Sequence, residues 1–171
     1  MRQLLDRIYG AAAWVAALFM IGTLVMILLS VTGRLLDFHV RGTDAYAGYC
    51  MAAAAFLALA HTLRRGEHIR VTLILDHVGP RSRHALGIWS HLAGLLCAVL
   101  LAWFATHLAW QSFQFNDISQ GTDATPLWIP QLGMALGTVI FAIAIADELV
   151  AVLRGKKLRH RAADAEPVRS E

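Results

Sequence analysis

The stretch IYGAAAWVAALFMIGTLVMILLSVTG, residues 8–33, contains no charged side chain. A bilayer has a hydrocarbon core about 30 Å thick, which roughly 20 helical residues cross at about 1.5 Å each. A helix is the expected structure because lipid cannot satisfy open backbone groups. The run is also longer than the apolar core of about 7–15 residues that is typical of a signal peptide. We therefore predict a retained transmembrane helix here.

Three further apolar runs follow, so the whole chain has the same character. Of its 171 residues, 57% are hydrophobic and only 16% are charged, and the charges gather between the runs. This distribution is typical of a chain solvated by lipid. We predict an all-α integral membrane domain over residues 1–155, with spans at about 9–33, 44–63, 85–107 (the helix continuing to about 115) and 127–150. The basic tail, residues 156–171, is predicted to be disordered.

Basic residues are distributed unequally between the connectors. With four spans, the N-terminus, the second connector and the tail lie on one side, and they hold all but two of the 15 lysines and arginines. Basic residues in short loops stay cytoplasmic. Both termini are therefore predicted to be cytoplasmic. The positive charge favours anionic lipid headgroups as partners, and no motif suggests nucleic acid.

The second connector, on the predicted inner side, has its own apolar pattern. Val71, Ile74, Leu75 and Val78 follow helical spacing, and Gly79-Pro80 ends the pattern. This predicts a short helix lying in the headgroup plane, with an ordinary surface turn as the alternative.

The third connector leads into the last span through the string TPLWIPQ, residues 125–131. Thr125 is predicted to be the helix N-cap, with Pro126 at the first helical position and Trp128 at the level of the headgroups. Pro130 falls in the first turn, where its missing N–H costs little.

Groups that would carry chemistry are scarce. No zinc-binding spacing, phosphate loop or nucleophile elbow is present, and no polar route crosses the spans as a carrier would require. We therefore predict neither an enzyme nor an autonomous carrier, with no catalytic residue, metal or cofactor. Gly133 and Gly137 form a GxxxG pair that suits close helix packing, although this spacing also arises by chance in alanine-rich spans.

One alternative involves two histidines at similar depth on neighbouring spans. His61 lies one turn from the inner end of the second span, and His91 lies about two turns into the third. Such a pair can ligate a b-type haem in the membrane anchor of a respiratory complex. The simpler interpretation is that each imidazole binds a backbone carbonyl or faces the headgroups.

Two strings resemble the small membrane subunit of TRAP transporters, the DctQ-like tripartite ATP-independent periplasmic permeases. In LRRGEHIRV, residues 63–71, the resemblance is carried by Gly66, His68, Ile69, Arg70 and Val71. In TPLWIPQ it is carried by Thr125, Pro126, Trp128, Ile129 and Pro130. Arg34 and Asp44 resemble the family's arginine and acidic position around the first connector.

The resemblance implies a non-catalytic subunit of a bacterial inner-membrane transporter. A DctP-like periplasmic protein would capture a small organic anion or related solute, and a large DctM-like subunit would carry it inward with sodium. The small subunit would brace the large one and help dock the periplasmic protein. Arg34, Asp37, Arg41 and Asp44 are the candidate docking residues, and the loop around His68 is a candidate anchor for the inner helix.

Overall fold

The computed structural model describes residues 2–38, 40–65, 80–121 and 123–153, with only the backbone at residues 2–4 and 80–84. Within these ranges the chain forms four helices: α1 (Arg2–Leu35), α2 (Thr43–Arg65), α3 (Pro80–Gln114) and α4 (Trp128–Leu153). All four are long and apolar enough to cross a membrane, as predicted. The proposed interfacial helix at residues 71–78 and the tail at 156–171 lie outside the described residues.

The start of α4 differs from the prediction. Thr125 is not an N-cap and Pro126 is not the first helical residue, because the helix begins at Trp128. Pro126 instead forms an isolated antiparallel bridge with Ile118. Two backbone hydrogen bonds hold this extended segment, from Ser119 N to Thr125 O at 2.8 Å and from Leu127 N to Asp117 O at 2.9 Å. Because this pairing keeps Pro126 in an extended segment, α4 begins two residues later than predicted.

The helices pack as an open row in the order α1, α2, α4, α3. Extensive contacts join α1 to α2, α2 to α4 and α4 to α3, and the remaining pairs meet only marginally. A closed four-helix bundle would have a fourth extensive interface between its first and last members. In this row α1 and α3 each have one neighbour, so most of their circumference is left for lipid or another protein.

The contacts between helices are made largely by alanines. Most of the buried apolar side chains are alanine, and one cluster joins all four helices through Tyr9, Ala60, Leu63, Ala98, Ala144 and Ile145. Large aliphatic and aromatic side chains lie mainly on the outside. Small residues let helices approach closely when hydrophobic exclusion of water does not drive their association. The burial pattern is the inverse of a soluble domain and fits a lipid surrounding.

The helices α1 and α3 end in the same type of turn. Asp37 (φ 56°) and Asn116 (φ 50°) adopt the left-handed conformation that ends many helices. Phe38 N then donates to Gly33 O at 2.9 Å, and Asp117 N donates to Ser112 O at 3.0 Å. Both turns lie at one end of the row, which carries residues 36–38, 40–42, 115–121 and 123–127 and is called the loop end. The opposite end, with Asp6 and Arg64, is called the basic end.

Candidate functional site at the loop end

A groove of about 510 Å³ opens at the loop end between the end of α1 and the start of α2. Three of the four candidate docking residues line it: Arg34, Asp37 and Asp44. Arg41 is exposed but is not among the lining residues. The short connector between two antiparallel helices explains the grouping, since it brings the last turn of α1 beside the first turn of α2.

An exposed ion pair crosses this groove. Arg34 Nη2 lies 3.4 Å from Asp44 Oδ2, and the two side chains are 74% and 76% exposed. Ser30 Oγ donates to the other carboxylate oxygen, Asp44 Oδ1, at 2.9 Å. Exposed pairs of this kind contribute only about 0–1 kcal/mol to stability. The two side chains are thus held in position while both remain accessible to solvent. This arrangement suits a surface that binds a charged partner.

A polar network fixes the 115–127 connector against α2. The Tyr49 hydroxyl lies 3.1 Å from Asp123 Oδ2 and 3.0 Å from Ser119 Oγ. Ser119 Oγ donates to Asp123 Oδ1 at 2.8 Å and accepts from Gly121 N at 3.2 Å. Tyr49 has one proton to donate, and the carboxylate is the stronger acceptor. The connector is therefore tied to α2 by side chains from both partners.

Gly42 allows the connector to approach the start of α2. Its φ is +80°, and a Cβ atom built there would lie 2.7 Å from Asp123 Cβ and 3.3 Å from a ring carbon of Tyr46. Any larger residue would meet both a disfavoured backbone conformation and a clash. The same tyrosine is also bound by the connector, since Thr125 Oγ1 donates to the Tyr46 hydroxyl at 3.0 Å.

The hydrogen bonds around Asp123 favour its ionised form. Desolvation raises its pKa, but hydrogen bonds from Thr125, Ser119, its own backbone and Tyr49 outweigh this and hold the pKa below the usual value. The Thr125 hydroxyl thus has two acceptors within reach, Asp123 and Tyr46. At neutral pH the Asp123 carboxylate is therefore ionised and accepts the hydrogen bonds that hold the connector against α2.

The helix-start motif contributes to the same end of the molecule. The ring of Trp128 packs edge-on against Phe113 of α3, with centroids 5.6 Å apart, and Phe113 in turn lies 6.3 Å from Trp110. Ile129 is exposed, and Pro130 lies in the first turn of α4. Four motif residues therefore have separate roles in structure: Thr125 binds Tyr46 of α2, Pro126 pairs with Ile118 of the connector, Trp128 packs against α3, and Pro130 lies in the first turn of α4.

Gly133 and Gly137 face α2 within the chain. A Cβ atom at Gly133 would lie 2.8 Å from Ala53 Cβ, and one at Gly137 would lie 2.5 Å from the carbonyl carbon of Phe56 and 2.8 Å from Leu57 N. The close approach of α2 and α4 depends on both glycines. This face is accordingly occupied by the chain's own helix.

A second polar cluster joins α1 and α2 at the basic end. Arg64 forms an ion pair with Asp6, and its guanidinium lies 4.7 Å above the ring of Tyr9. Tyr9 is 2% exposed, and its hydroxyl has no hydrogen-bond partner among the residues that the structure describes. The motif residues that follow Arg65, namely Gly66, His68, Ile69, Arg70 and Val71, lie outside the described residues.

Sequence reasoning did not identify most of these contacts. Ser30, Tyr46, Tyr49, Ser119 and Asp123 lie far apart in the chain and follow no local motif. In the sequence each of them is only a polar side chain in or beside an apolar span, and this does not indicate which residue it binds.

The structure does not support the haem alternative. The Nδ1 atom of His91 lies 2.7 Å from Gly87 O on its own helix, as the simpler interpretation requires. His61 and His91 belong to α2 and α3, which are not an extensively packed pair. Within the described ranges, no group of three or more histidine, cysteine or acidic side chains is arranged to hold a metal ion.

Comparison with known proteins agrees with the resemblance seen in the sequence. A search of curated proteins gives no match. A family model described as "Tripartite ATP-independent periplasmic transporters, DctQ component" matches residues 23–155, which include α2, α3, α4 and the last 13 residues of α1. The four apolar helices and the match over most of the chain lead to one conclusion: this chain belongs to the DctQ family, the small component of tripartite ATP-independent periplasmic transporters.

Proposed function

We propose that this chain is a non-catalytic subunit that braces the large membrane component and helps dock the periplasmic solute-binding protein. The transporter would import a small organic anion or related solute together with sodium. In this proposal both termini are cytoplasmic, as the distribution of arginines and lysines favours. The loop end then faces the periplasm of a bacterium whose inner membrane holds the protein.

The observation that carries the docking role is the charged groove at the loop end. Its ion pair between Arg34 and Asp44 is exposed, while Asp37 lines the same groove and has no partner among the described residues. Charges at an interface steer encounter and fix orientation more than they add raw affinity. A binding protein that docks for every transport cycle and then leaves suits such a surface.

The rigid connector supports the same role. Tyr46 and Tyr49 bind Ser119, Asp123 and Thr125 of the connector, so Gly121, which lines the groove, keeps a fixed position relative to α2. Preorganisation lowers the entropy lost when a partner binds. The groove can thus recognise a partner without first having to fold.

The bracing role rests on the character of the helices. Their packing faces are mainly small residues and their outer faces are mainly apolar. The buried side chains of His91 and Thr138 bind the backbone of their own helices, His91 at Gly87 O and Thr138 at Met134 O and Ala135 O. No described residue offers a polar path for an ion or solute through the row. Transport is therefore assigned to the large component.

A charge swap tests the docking role. Arg34→Asp and Asp44→Arg should each lower uptake at limiting binding protein by about tenfold, equivalent to about 1.4 kcal/mol, and excess binding protein should restore it. The double variant Arg34→Asp/Asp44→Arg re-forms the ion pair with reversed polarity. Uptake should stay low, because the partner still meets the wrong charges.

Asp117→Lys is the matched control, since Asp117 is exposed at the loop end but does not line the groove. Its uptake should remain near the wild-type rate. Recovery of uptake in the double variant would show that the pair serves only the fold of this chain, and the docking role would be abandoned.

A further inference from the structure

The charges that line the loop-end groove are not balanced. Two carboxylates and one guanidinium group face it. Arg34 lies 3.4 Å from Asp44, and Ser30 also donates to Asp44, so this guanidinium and this carboxylate are engaged with each other. The third group, the carboxylate of Asp37, has no ion-pair or hydrogen-bond partner within the described ranges. The groove therefore keeps one negative charge without a counter-charge.

The backbone holds Asp37 in a defined position. The residue adopts a φ of 56° in the turn that ends α1. Hydrogen bonds close this turn on both sides of it, from Leu36 N to Thr32 O at 3.0 Å and from Phe38 N to Gly33 O at 2.9 Å. A charged group on a fixed turn loses little entropy when it binds a partner.

Apolar side chains form the rest of the wall. Leu29, Phe38 and Val40 line the same groove, and Phe38 and Val40 are 41% and 38% exposed. Lysine and arginine carry a charged head on a long apolar stem, and such a stem packs against apolar surface while the head stays with polar groups. The face of a phenylalanine ring also attracts cations. A carboxylate beside an apolar wall thus matches both parts of a long cationic side chain.

An anionic side chain fits the groove less well. It would be attracted by Arg34, but that guanidinium already lies beside the carboxylate of Asp44. It would also be repelled by Asp37, which lines the same space. Like charges that meet across an interface select against a partner.

We propose that Asp37 binds a lysine or arginine side chain of the periplasmic solute-binding protein, with the aliphatic stem of that side chain along Phe38 and Val40. This inference rests on the proposed function, because it names the chemistry of the docking contact. The ion pair of Arg34 and Asp44 then flanks the incoming cation, and the Asp37 carboxylate is its counter-charge.

Removal of the carboxylate tests the inference. Asparagine tolerates the left-handed conformation, and Asn116 adopts it with a φ of 50° in the equivalent turn at the end of α3. Asp37→Asn should raise the concentration of binding protein that gives half-maximal uptake by about three- to tenfold, and excess binding protein should overcome the defect. Added salt should weaken docking less in this variant than in wild type, because one screened attraction is gone.

The turn at Asn116 also supplies a matched control. Asn116 is exposed at the loop end but does not line the groove. Asn116→Asp should leave the half-saturating concentration unchanged. The combined variant Asp37→Asn/Asn116→Asp keeps the net charge of the chain and moves the carboxylate from one turn to the other, so docking should stay as weak as in Asp37→Asn. Recovery in the combined variant would mean that only the overall charge of the loop end matters, and the inference would be wrong.

Variants of the binding protein identify the cation. Each surface lysine and arginine of the binding protein is changed singly to glutamine and tested against both forms of this chain. One of these changes should weaken docking to the wild-type chain and have no further effect on Asp37→Asn, as expected for two residues in contact. Exchange of the charges, with Asp37→Lys in this chain and glutamate at that position of the binding protein, should restore docking. If every change weakens docking to both forms equally, no cation contacts Asp37.

A second variant separates docking from folding. Glycine adopts a positive φ without strain, so Asp37→Gly removes the carboxylate and keeps the turn. It should reproduce the docking defect of Asp37→Asn while the chain unfolds at the wild-type temperature. Wild-type docking in both Asp37 variants, together with the loss expected for Arg34→Asp, would overturn this inference and leave the docking role in place. If Arg34→Asp also docks normally, the docking role itself fails.

Discussion

Replacing the two glycines of α4 tests the packing of the central helices most directly. At Gly137 a Cβ atom would lie 2.5 Å and 2.6 Å from the carbonyl carbon and oxygen of Phe56, and 2.8 Å from Leu57 N. Carbon atoms in favourable contact lie about 3.5–4.0 Å apart, so α2 and α4 would have to separate by about 1 Å. Overpacking of this kind costs about 1–3 kcal/mol.

The consequence is measurable by thermal unfolding of the purified chain in detergent. For a chain of this size, 1–3 kcal/mol corresponds to about 2–12 °C in the unfolding midpoint. Gly137→Ala should reach this range, and no side-chain change on α2 should rescue it because the clash is with backbone atoms. Gly94→Ala on α3 is the control, since nothing lies within 4 Å of its Cβ position.

The neighbouring glycine gives a sharper test because its clash can be relieved. Gly133→Ala meets Ala53 Cβ at 2.8 Å and Ala53 Cα at 3.3 Å. Adding Ala53→Gly removes the first contact, so the double variant should recover most of the lost stability. If Gly137→Ala unfolds at the same temperature as Gly94→Ala, or if Ala53→Gly fails to improve Gly133→Ala, the inferred close approach of α2 and α4 is wrong.

The remaining predictions concern the two polar clusters. Tyr9→Phe removes a buried hydroxyl that has no partner within the described ranges, so the unfolding temperature should stay equal or rise, and a marked fall would reveal a missed hydrogen bond. Arg64→Leu should lower the same midpoint, since it removes an ion pair and a cation–π contact at once. Gly42→Ala should increase amide hydrogen exchange in residues 117–125, and wild-type exchange there would contradict the tight approach. Asp123 has a pKa depressed below the usual 3.8, so the stability that its carboxylate contributes is present above that pH and is lost as pH falls through the lower folded value. In Tyr49→Phe the folded pKa of Asp123 should rise, because one hydrogen bond to the carboxylate is removed. Amide exchange in the connector should then accelerate at a higher pH than in wild type.

These tests separate two functions of the same helices. The glycines of α4 concern contacts within the chain, and the loop-end groove concerns a soluble partner. Substitutions of the α4 glycines leave the groove residues unchanged, so a defect in uptake can be traced to folding or to docking.

The sequence by itself determined the number and nature of the helices. Uncharged runs of about 20 residues that lack the alternating pattern of a barrel strand indicate a membrane helix, since the helix satisfies its own backbone in lipid, so Ile8–Gly33 predicted the first span without knowledge of any contact. Two short strings identified the family, because they combine unusual residues at span ends. Part of the groove could also be predicted from the sequence. Arg34, Asp37 and Asp44 lie in or beside one short connector, which brings them together independently of the other helices.

Only the tertiary structure decided how the helices are arranged and which polar residues meet. Local rules assigned Thr125 to a helix cap, but its hydroxyl binds Tyr46, 79 positions away in the chain. The row order α1, α2, α4, α3 depends on which small faces fit together, and alanine-rich spans offer many such faces. Sequence periodicity gives each helix its own faces, while the choice of neighbour is a property of the packed whole.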